Sequence, residues 1–264
     1  MINKIFALVL CSNLLMINFS TWAKPEVKLN SPEIILQADE WCPYNCKPNS
    51  ALPGFMVEIA KAIFEPHGYQ VKYQKLNWPR ALHNARTGKI NGVIGALYSD
   101  APDFIFPENS QGSVVNAIWA RKDINLNYKS VEDLKGYTLG AIRNYSYGIE
   151  LDKYIKSNRH SAAKIQLISG ANPLESNLKK LLHNRIDLII EDNAVLKFSL
   201  QNRVIKQQFK HIADIASEPI FIAFSPARPD SKKLAKLLSD GMKNLRLSGE
   251  LATILHNYSV PDWQ

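Results

Sequence analysis

The sequence predicts an α/β fold in which a parallel sheet carries helices on both faces. Short apolar segments alternate along the chain with segments whose apolar residues recur at helical spacing, a pattern typical of strands connected by helices. The first helical segment shows this spacing clearly, because Met56, Ile59, Ala60 and Ile63 fall at i, i+3, i+4 and i+7. With 264 residues, the chain is long enough for two lobes of about 100 residues each.

Three strands and two helices are predicted before residue 100. Gly68 and Gly88 end the two helices, and Pro79 begins the second one. The predicted order is strand 34–38, helix 54–67, strand 71–75, helix 79–86 and strand 91–97.

The same alternation then restarts in the second half of the chain. The predicted order is strand 114–120, a short helical turn 131–134, strand 137–142, helix 147–156, strand 165–168, helix 173–184, strands 187–191, 209–215 and 220–224, and helices 231–247 and 249–257. Periodicity alone does not assign the last two helices to either half of the sheet.

The first 23 residues have the features of a secretory signal peptide. Lys4 supplies the positive charge, an apolar stretch follows, and Thr21 and Ala23 place small residues before a cleavage site. The alternative is a membrane anchor, but the stretch is interrupted by Ser12 and Asn13 and is short for about 30 Å of hydrocarbon. We therefore expect export to the periplasm.

The charge of the chain is moderately basic and evenly spread. Lys and Arg total 32 against 24 for Asp and Glu, which gives +8. The longest basic clusters are pairs such as Lys179-Lys180, and nucleic-acid binding needs a denser stripe than that. A solvated basic surface is the better interpretation.

Two cysteines remain once the predicted signal segment is removed. In an oxidising compartment, Cys42 and Cys46 are expected to form a disulfide, and free thiols are the main alternative. A metal site would need two more ligands, and no His lies nearby in the sequence.

Motifs for other chemistries are missing from the sequence. It contains no Gly-rich phosphate loop and no G-x-S-x-G nucleophile motif, and its six His residues show no metal-ligand spacing. We therefore expect no cofactor, no metal and no catalytic residues.

Seven short motifs occur in order between residues 33 and 258. They are ADEWCPY (38–44), PGFMVEIA (53–60), NWPRAL (77–82), RTGKINGVI (86–94), SVEDLKG with LGA (130–136 and 139–141), RNYSYG (143–148) and RIDLIIED (185–192). Together they resemble the periplasmic solute-binding proteins that bind polar amino acids, the extracellular solute-binding family 3.

The resemblance implies a two-lobe periplasmic-binding-protein clamshell with two hinge crossings. Lobe 1 would comprise residues 24–118 and 222–264, and lobe 2 residues 119–221, with hinge crossings near residues 119–121 and 216–221. A small polar solute, an amino acid or a related compound, would bind between the lobes of a monomer. The protein would then deliver it to an inner-membrane ABC permease.

Candidate ligand-binding residues follow from two sources, the place of a residue beyond a strand or at a helix start and the resemblance to the family. Trp41 and Tyr44 would stack on the solute, Arg80 would clamp a carboxylate, and Asp192 matches the family's ammonium-binding Asp. The full set is Trp41, Tyr44, Trp78, Arg80, Tyr98, Ser99, Arg143, Asn144, Tyr145, Ser146, Glu191 and Asp192.

Several of these residues also have ordinary structural interpretations. Trp78 fits a core position, and Arg80 fits a solvated surface. Ser146 fits a helix N-cap as well as an anion contact, and Glu191 fits a cap or a solvated acid. Glu191 and Asp192 would point to opposite sides of a strand.

The chain departs from the family pattern after the third strand. The family carries Thr-x-x-Arg there, and the Arg pairs with the α-carboxylate of the ligand. This sequence reads LYSDAPDF at 97–104, without Arg. Arg80 or Arg143 would have to take its place, or the solute lacks an α-carboxylate.

Two other functions remain open on the sequence alone. The first is an enzyme on the same scaffold, similar to cyclic-acid dehydratases, with Glu191 as its acid/base group. The second is a sensor that presents its closed form to a membrane receptor in trans.

Overall fold

The computed structural model describes residues 31–170, 172–201 and 203–264, so the predicted signal segment lies outside the described residues. The strands are β1 Glu33–Ala38, β2 Gln70–Lys75, β3 Gly92–Ala96, β4 Gly112–Arg121, β5 Leu139–Ile142, β6 Ile165–Ile168, β7 Leu188–Asp192 and β8 Phe209–Phe224. The helices are α1 Phe55–Phe64, α2 Trp78–Arg86, α3 Ile149–Asn158, α4 Pro173–Leu182, α5 Asn193–Leu200, α6 Ser231–Ser248 and α7 Glu250–Asn257.

The strands form one mixed sheet in the order β2-β1-β3-β8-β4-β7-β5-β6. At one end β1 pairs in parallel with β2 and β3, and at the other end β5 pairs in parallel with β6 and β7. The two central strands, β4 and β8, run antiparallel to their neighbours. The α/β class is confirmed, but the parallel sheet predicted from alternation is wrong at the centre. Within the described residues 97–111 no helix separates β3 from β4, and β8 pairs antiparallel with both of its neighbours.

A single long strand replaces the two short strands predicted at 209–215 and 220–224. Pro219 and Glu218 interrupt the apolar pattern, yet β8 continues through both. Its first part pairs with β4 as far as Ile220, and its last four residues pair with β3. The strand therefore connects the two parallel halves of the sheet.

The side chains of β4 change their packing partners along the strand. Val114 lies in the core cluster formed by β1, α1 and the C-terminal helices, whereas Ile118 and Ala120 lie in a cluster with β5, α3 and β7. Two β-bulges interrupt the pairing of β4 with β8, at Asn116/Ala117 and at Ile118/Trp119. The core therefore divides along the middle of β4.

The C-terminal helices pack on α1, a placement that periodicity could not supply. Leu238 of α6 and Leu255 of α7 are buried in the same cluster as Ile59. A Cβ on Gly241 would approach Ile63 to 2.5 Å, so the close packing of α6 on α1 requires a glycine there. The last two helices therefore complete the core that β1 begins.

One helix was missed, and one was predicted too long. Helix α5 follows β7 without a loop, because Asp192 is both the last residue of β7 and the N-cap of α5. A helix that begins directly at a strand end gives no turn signal in the sequence. Helix α1 ends at Phe64, and residues Glu65–His67 form a 3₁₀ turn before Gly68.

Candidate functional site

A cleft lies where β1, β3, β5 and β7 end, and we call it the inner cleft. Its empty volume is about 510 Å³, including space open to solvent. Because β1 and β3 are parallel, and β5 and β7 are parallel, the residues after each pair of strands meet at one edge of the sheet. Its lining residues are Asp39, Trp41, Asn45, Trp78, Ile94, Gly95, Leu97, Asp100, Val114, Asn116, Tyr145, Ser146, Tyr147, Glu191 and Ile220.

Three carboxyl groups face this cleft. Asp39 follows β1, Asp100 follows β3 and Glu191 lies in β7. None of the described residues that line the inner cleft is a Lys, Arg or His. In their ionised forms, these carboxyl groups in a partly desolvated cleft attract cations and repel anions.

Glu191 is the most deeply buried of the three, with 1% of its surface exposed. Its Oε1 accepts hydrogen bonds from Trp41 Nε1 at 3.0 Å and from the Asp192 amide at 2.9 Å. Its Oε2 has no hydrogen-bond partner among the described residues. Burial raises the pKa of Glu191 to about 8, although the two donated hydrogen bonds oppose the shift.

A second hydrogen bond crosses the cleft between Asp39 and Tyr145. The Tyr145 hydroxyl donates to Asp39 Oδ2 at 2.6 Å. Burial raises the pKa of Asp39, and the Tyr145 hydrogen bond partly offsets that effect by favouring the ionised form. This contact and the Trp41–Glu191 bond together join the end of β1 to the ends of β5 and β7.

Aromatic rings form the remaining walls. Trp41 stacks on Tyr44 with ring centroids 4.4 Å apart and meets Tyr145 edge-on at 6.4 Å. Trp78 and Tyr147 also line the cleft. Aromatic faces beside carboxylates suit the recognition of an organic cation.

Asp100 occupies the segment where the family's Arg is missing. Its Oδ2 accepts a hydrogen bond from the Leu97 amide at 3.3 Å. Burial raises the pKa of Asp100 to about 6. The chain therefore places an acid in this wall of the cleft, near the position where the family carries a base.

The structure places Asp192 away from the inner cleft. Its carboxylate accepts hydrogen bonds from the Val115 amide at 2.8 Å and the Val195 amide at 2.9 Å, so it caps α5 and ties β7 to β4. Strand alternation points Glu191 into the cleft and Asp192 to the opposite face. The resemblance implied an ammonium contact for Asp192, and its neighbour Glu191 occupies the lining position instead.

Tyr44 supports the cleft from behind. It is 1% exposed, and its hydroxyl donates to the Ser113 carbonyl at 2.6 Å. Since Tyr44 stacks beneath Trp41 and does not line the inner cleft, it positions that ring.

Besides Tyr44 and Asp192, five more of the expected residues lie outside the described lining of the cleft. They are all solvent-exposed: Arg80, Tyr98, Ser99, Arg143 and Asn144. The exposed Tyr98 ring packs on Phe106 with centroids 4.4 Å apart. The sequence predicted that these five residues lie in loops or helix starts near the ends of strands. It did not predict that their side chains are exposed to solvent.

Ser146 lines the cleft, but its hydroxyl is already occupied by the chain itself. Ser146 Oγ donates to Asp152 Oδ2 at 2.6 Å, and the Tyr147 amide donates to Asp152 Oδ1 at 2.9 Å. An acid in the first turn of α3 therefore takes the place predicted for a ligand anion.

Four polar lining residues were missed by sequence reasoning: Asp39, Asn45, Asp100 and Asn116. For Asp39 and Asp100 a signal was available, because each is an acid just beyond a predicted strand. Asn45 and Asn116 carried no such signal.

The disulfide between Cys42 and Cys46 is confirmed, with the two Cα atoms 4.7 Å apart. Within the loop, the Trp41 amide donates to the Asn45 carbonyl at 2.8 Å, and Asn45 Nδ2 donates to the Asp39 carbonyl. The bridge and these bonds fix the loop that carries Trp41.

The family is decided by a match that covers most of the chain. The model for "Bacterial extracellular solute-binding proteins, family 3" matches residues 34–261. The chain belongs to this family. This solute-binding protein has no helix, within the residues that the structure describes, that is long and apolar enough to cross a membrane.

Curated relatives of this solute-binding protein are binding proteins. "Probable amino-acid-binding protein YxeM" of Bacillus subtilis is 24% identical over 229 residues, which cover 83% of this chain and 81% of the relative. "Probable histidine-binding protein" of Campylobacter jejuni is 21% identical over 228 residues, which cover 84% and 83%.

Solved structures share the fold at low identity. The glutathione-import structure that names GshT and the cystine ABC importer TcyBC of Streptococcus mutans superposes with a TM-score of 0.72 at 20% identity, covering 88% of this chain and 98% of that one. A histidine-bound ABC transporter substrate-binding protein of Streptococcus pneumoniae gives 0.70 at 18%, covering 86% and 92%. The expected clamshell fold class is thereby confirmed.

Proposed function

We propose that this protein captures a small organic cation in the inner cleft and delivers it to an ABC permease of the inner membrane. It would act as a periplasmic monomer. The observation that carries the proposal is the charge of the cleft: Asp39, Asp100 and Glu191 line it, and none of its described lining residues is basic. A cation entering there gains the attraction of three carboxyl groups and the faces of Trp41 and Trp78.

Closure of two lobes around the cation is the mechanism we propose. Lobe 1 would comprise residues 24–118 and 222–264, and lobe 2 residues 119–221. The change of packing partners along β4, from Val114 to Ile118, supports a boundary near the middle of this strand. The Trp41–Glu191 and Tyr145–Asp39 hydrogen bonds would join the lobes in the closed form.

The solute we propose lacks a carboxylate. Arg80 and Arg143, the two candidate partners for one, are solvent-exposed and lie outside the described lining of the cleft. An unpaired carboxylate would also have to lie near three acidic side chains, which is costly in a partly desolvated site. The relatives are named for amino acids, so the amine counterparts of amino acids are the natural candidates.

Matched pairs of solutes that differ only in the α-carboxylate test this proposal. We expect agmatine to bind more tightly than arginine, histamine than histidine, and 1,5-diaminopentane than lysine. Because the amine does not bring a carboxylate close to the acidic side chains, its Kd should be at least about tenfold lower than that of the amino acid, or about 1.4 kcal/mol. Isothermal titration calorimetry measures both values. Amino acids that bind as tightly as their amines, or more tightly, would overturn the choice of solute.

We propose binding without turnover as the activity of the cleft. Glu191 is a buried acid, but both curated relatives are named as binding proteins. Incubation of agmatine with the protein, followed by denaturation and mass spectrometry, should return agmatine unchanged. A product with altered mass would contradict this.

A further inference from the structure

A second cavity adjoins the inner cleft, and we call it the outer cavity. Its empty volume is about 900 Å³, including space open to solvent. Trp41, Tyr145 and Glu191 line both spaces. The residues that line the outer cavity and not the inner cleft include Glu40, Asn172, Leu174, Glu175, Phe198 and Ser199.

The shared wall of the two spaces includes Trp41 and Glu191. The Trp41 ring is stacked on Tyr44, and its indole N–H is held by Glu191 Oε1 at 3.0 Å. The other carboxyl oxygen of Glu191 is buried and has no hydrogen-bond partner among the described residues. A buried acceptor without a donor is costly, so this oxygen is available to a donor that comes from the solute.

We propose that the inner cleft and the outer cavity form one elongated site, divided at Trp41, for a linear organic polycation. One ammonium group would lie in the inner cleft beside Asp39 and Glu191, whose carboxyl groups are close enough to interact. The methylene chain would pass the Trp41 ring, and a second ammonium group would lie in the outer cavity. This inference rests on the proposed function and adds the length of the solute to it.

The outer cavity suits the second half of such a solute. Leu174 and Phe198 offer apolar surface for methylene groups, and Asn172 and Ser199 offer oxygen acceptors. As in the inner cleft, no Lys, Arg or His appears among its described lining residues.

Two acids in the outer cavity contribute less than Glu191 does. Glu40 pairs with Lys75 at 2.5 Å, and Glu175 pairs with Arg203 at 2.7 Å. Because these carboxylates already have cationic partners, their attraction for a second ammonium group is weaker. We therefore expect the inner cleft to supply most of the affinity and the outer cavity to supply selectivity for length.

A length series with variants that fill the outer cavity tests the inference. The probes are n-butylamine, 1,4-diaminobutane and spermidine, titrated by calorimetry. In the wild-type chain, spermidine should bind at least about tenfold more tightly than n-butylamine. Ser199→Trp, on α5, should narrow the outer cavity. It should raise the Kd for spermidine by a factor at least about ten times larger than its effect on the Kd for n-butylamine.

Two further variants control the experiment. Ser157→Trp makes the same change on an exposed position of α3 that lines neither space, and it should leave the ratio of the two affinities as in the wild type. Asn172→Trp fills the outer cavity from the start of α4, at an exposed N-cap whose side chain makes no capping bond, and should repeat the effect of Ser199→Trp.

The outcomes separate this inference from the proposed function. If the amines bind but Ser199→Trp and Asn172→Trp weaken short and long probes equally, the elongated site is refuted and the cationic cleft stands. If spermidine binds no more tightly than n-butylamine, the elongated site is likewise refuted. If none of the amines in the length series or the matched pairs binds, the proposals of a cationic solute and of an elongated site are both refuted.

Discussion

Protonation of Glu191 should make cation binding strongly dependent on pH. Burial raises the pKa of Glu191 to about 8, so below pH 8 most of the unliganded protein carries a neutral carboxylic acid there. A cation binds the ionised form, and the apparent Kd is therefore multiplied by one plus ten to the power of (pKa minus pH). Between pH 9 and pH 6 this factor increases about 90-fold.

Agmatine is a suitable probe for this measurement because its guanidinium group stays charged over the whole range. Calorimetric titrations at pH 6, 7, 8 and 9 should show the Kd falling as pH rises. Parallel titrations at pH 7 in buffers of different ionisation enthalpy should detect release of about 0.9 proton per agmatine bound, the fraction of Glu191 that is protonated beforehand.

Glu191→Gln is the control, because it keeps the shape and the acceptor for Trp41 but cannot ionise. Its Kd should vary less than about threefold between pH 7 and pH 9. Below that range Asp100, whose pKa burial raises to about 6, adds its own dependence in both proteins, and the pKa of Asp39 is raised as well. A wild-type Kd that stays flat from pH 6 to pH 9, or binding without proton release, would refute the reasoning.

The same carboxyl group should affect the stability of the unliganded protein. A raised pKa in the folded state means that folded Glu191 holds a proton which the unfolded chain has lost. Its contribution to stability is complete below the unfolded pKa of about 4.5 and is lost as pH rises towards 8. Thermal unfolding should show Tm falling from pH 5 to pH 8 more steeply in the wild type than in Glu191→Gln, and equal slopes would contradict this.

Three other predictions follow from the placement of residues around the cleft. Arg80→Ala and Arg143→Ala should each change the Kd for agmatine less than about twofold, since both side chains are exposed, and a tenfold loss in either would show that this arginine belongs to the binding site. Asp192→Ala should lower the free energy of unfolding by about 2 kcal/mol, through loss of its two backbone hydrogen bonds, and change Kd less than twofold; a larger loss of affinity at unchanged stability would restore its ligand role. Replacing Cys42 and Cys46 by Ser should cost about 2 kcal/mol in chemical denaturation, and no change would show that the short bridge adds nothing.

The local spacing of apolar residues was sufficient to predict most of the helices and strands. Apolar spacing at Met56, Ile59 and Ile63 predicted α1, although the helix ends at Phe64 and a 3₁₀ turn precedes Gly68. The ordered motifs were sufficient for the family, which the match over residues 34–261 confirms. Trp41, Tyr145 and Glu191 line the cleft as expected, because each lies at or just beyond the end of a parallel strand.

The sequence did not predict which distant segments pair with each other in the sheet. The direction of β8, its continuity through Pro219 and its place between β3 and β4 depend on contacts with residues about 100 or more positions away. The sequence did not predict helix α5, because the only mark of its start is the capping side chain of Asp192 at the end of β7.

The sequence by itself therefore determined the fold class, the cysteine pair, the family and the loops that surround the cleft, because these depend on local spacing and short motifs. The tertiary structure decided the charge of the site. Glu191 and Asp192 are adjacent acids, and only the orientation of β7 sends one into the inner cleft and the other to the backbone of β4 and α5. Arg143 follows β5 and Arg80 lies in the first turn of α2, but both side chains are exposed to solvent, so the cleft is lined by acids in a chain whose net charge is +8.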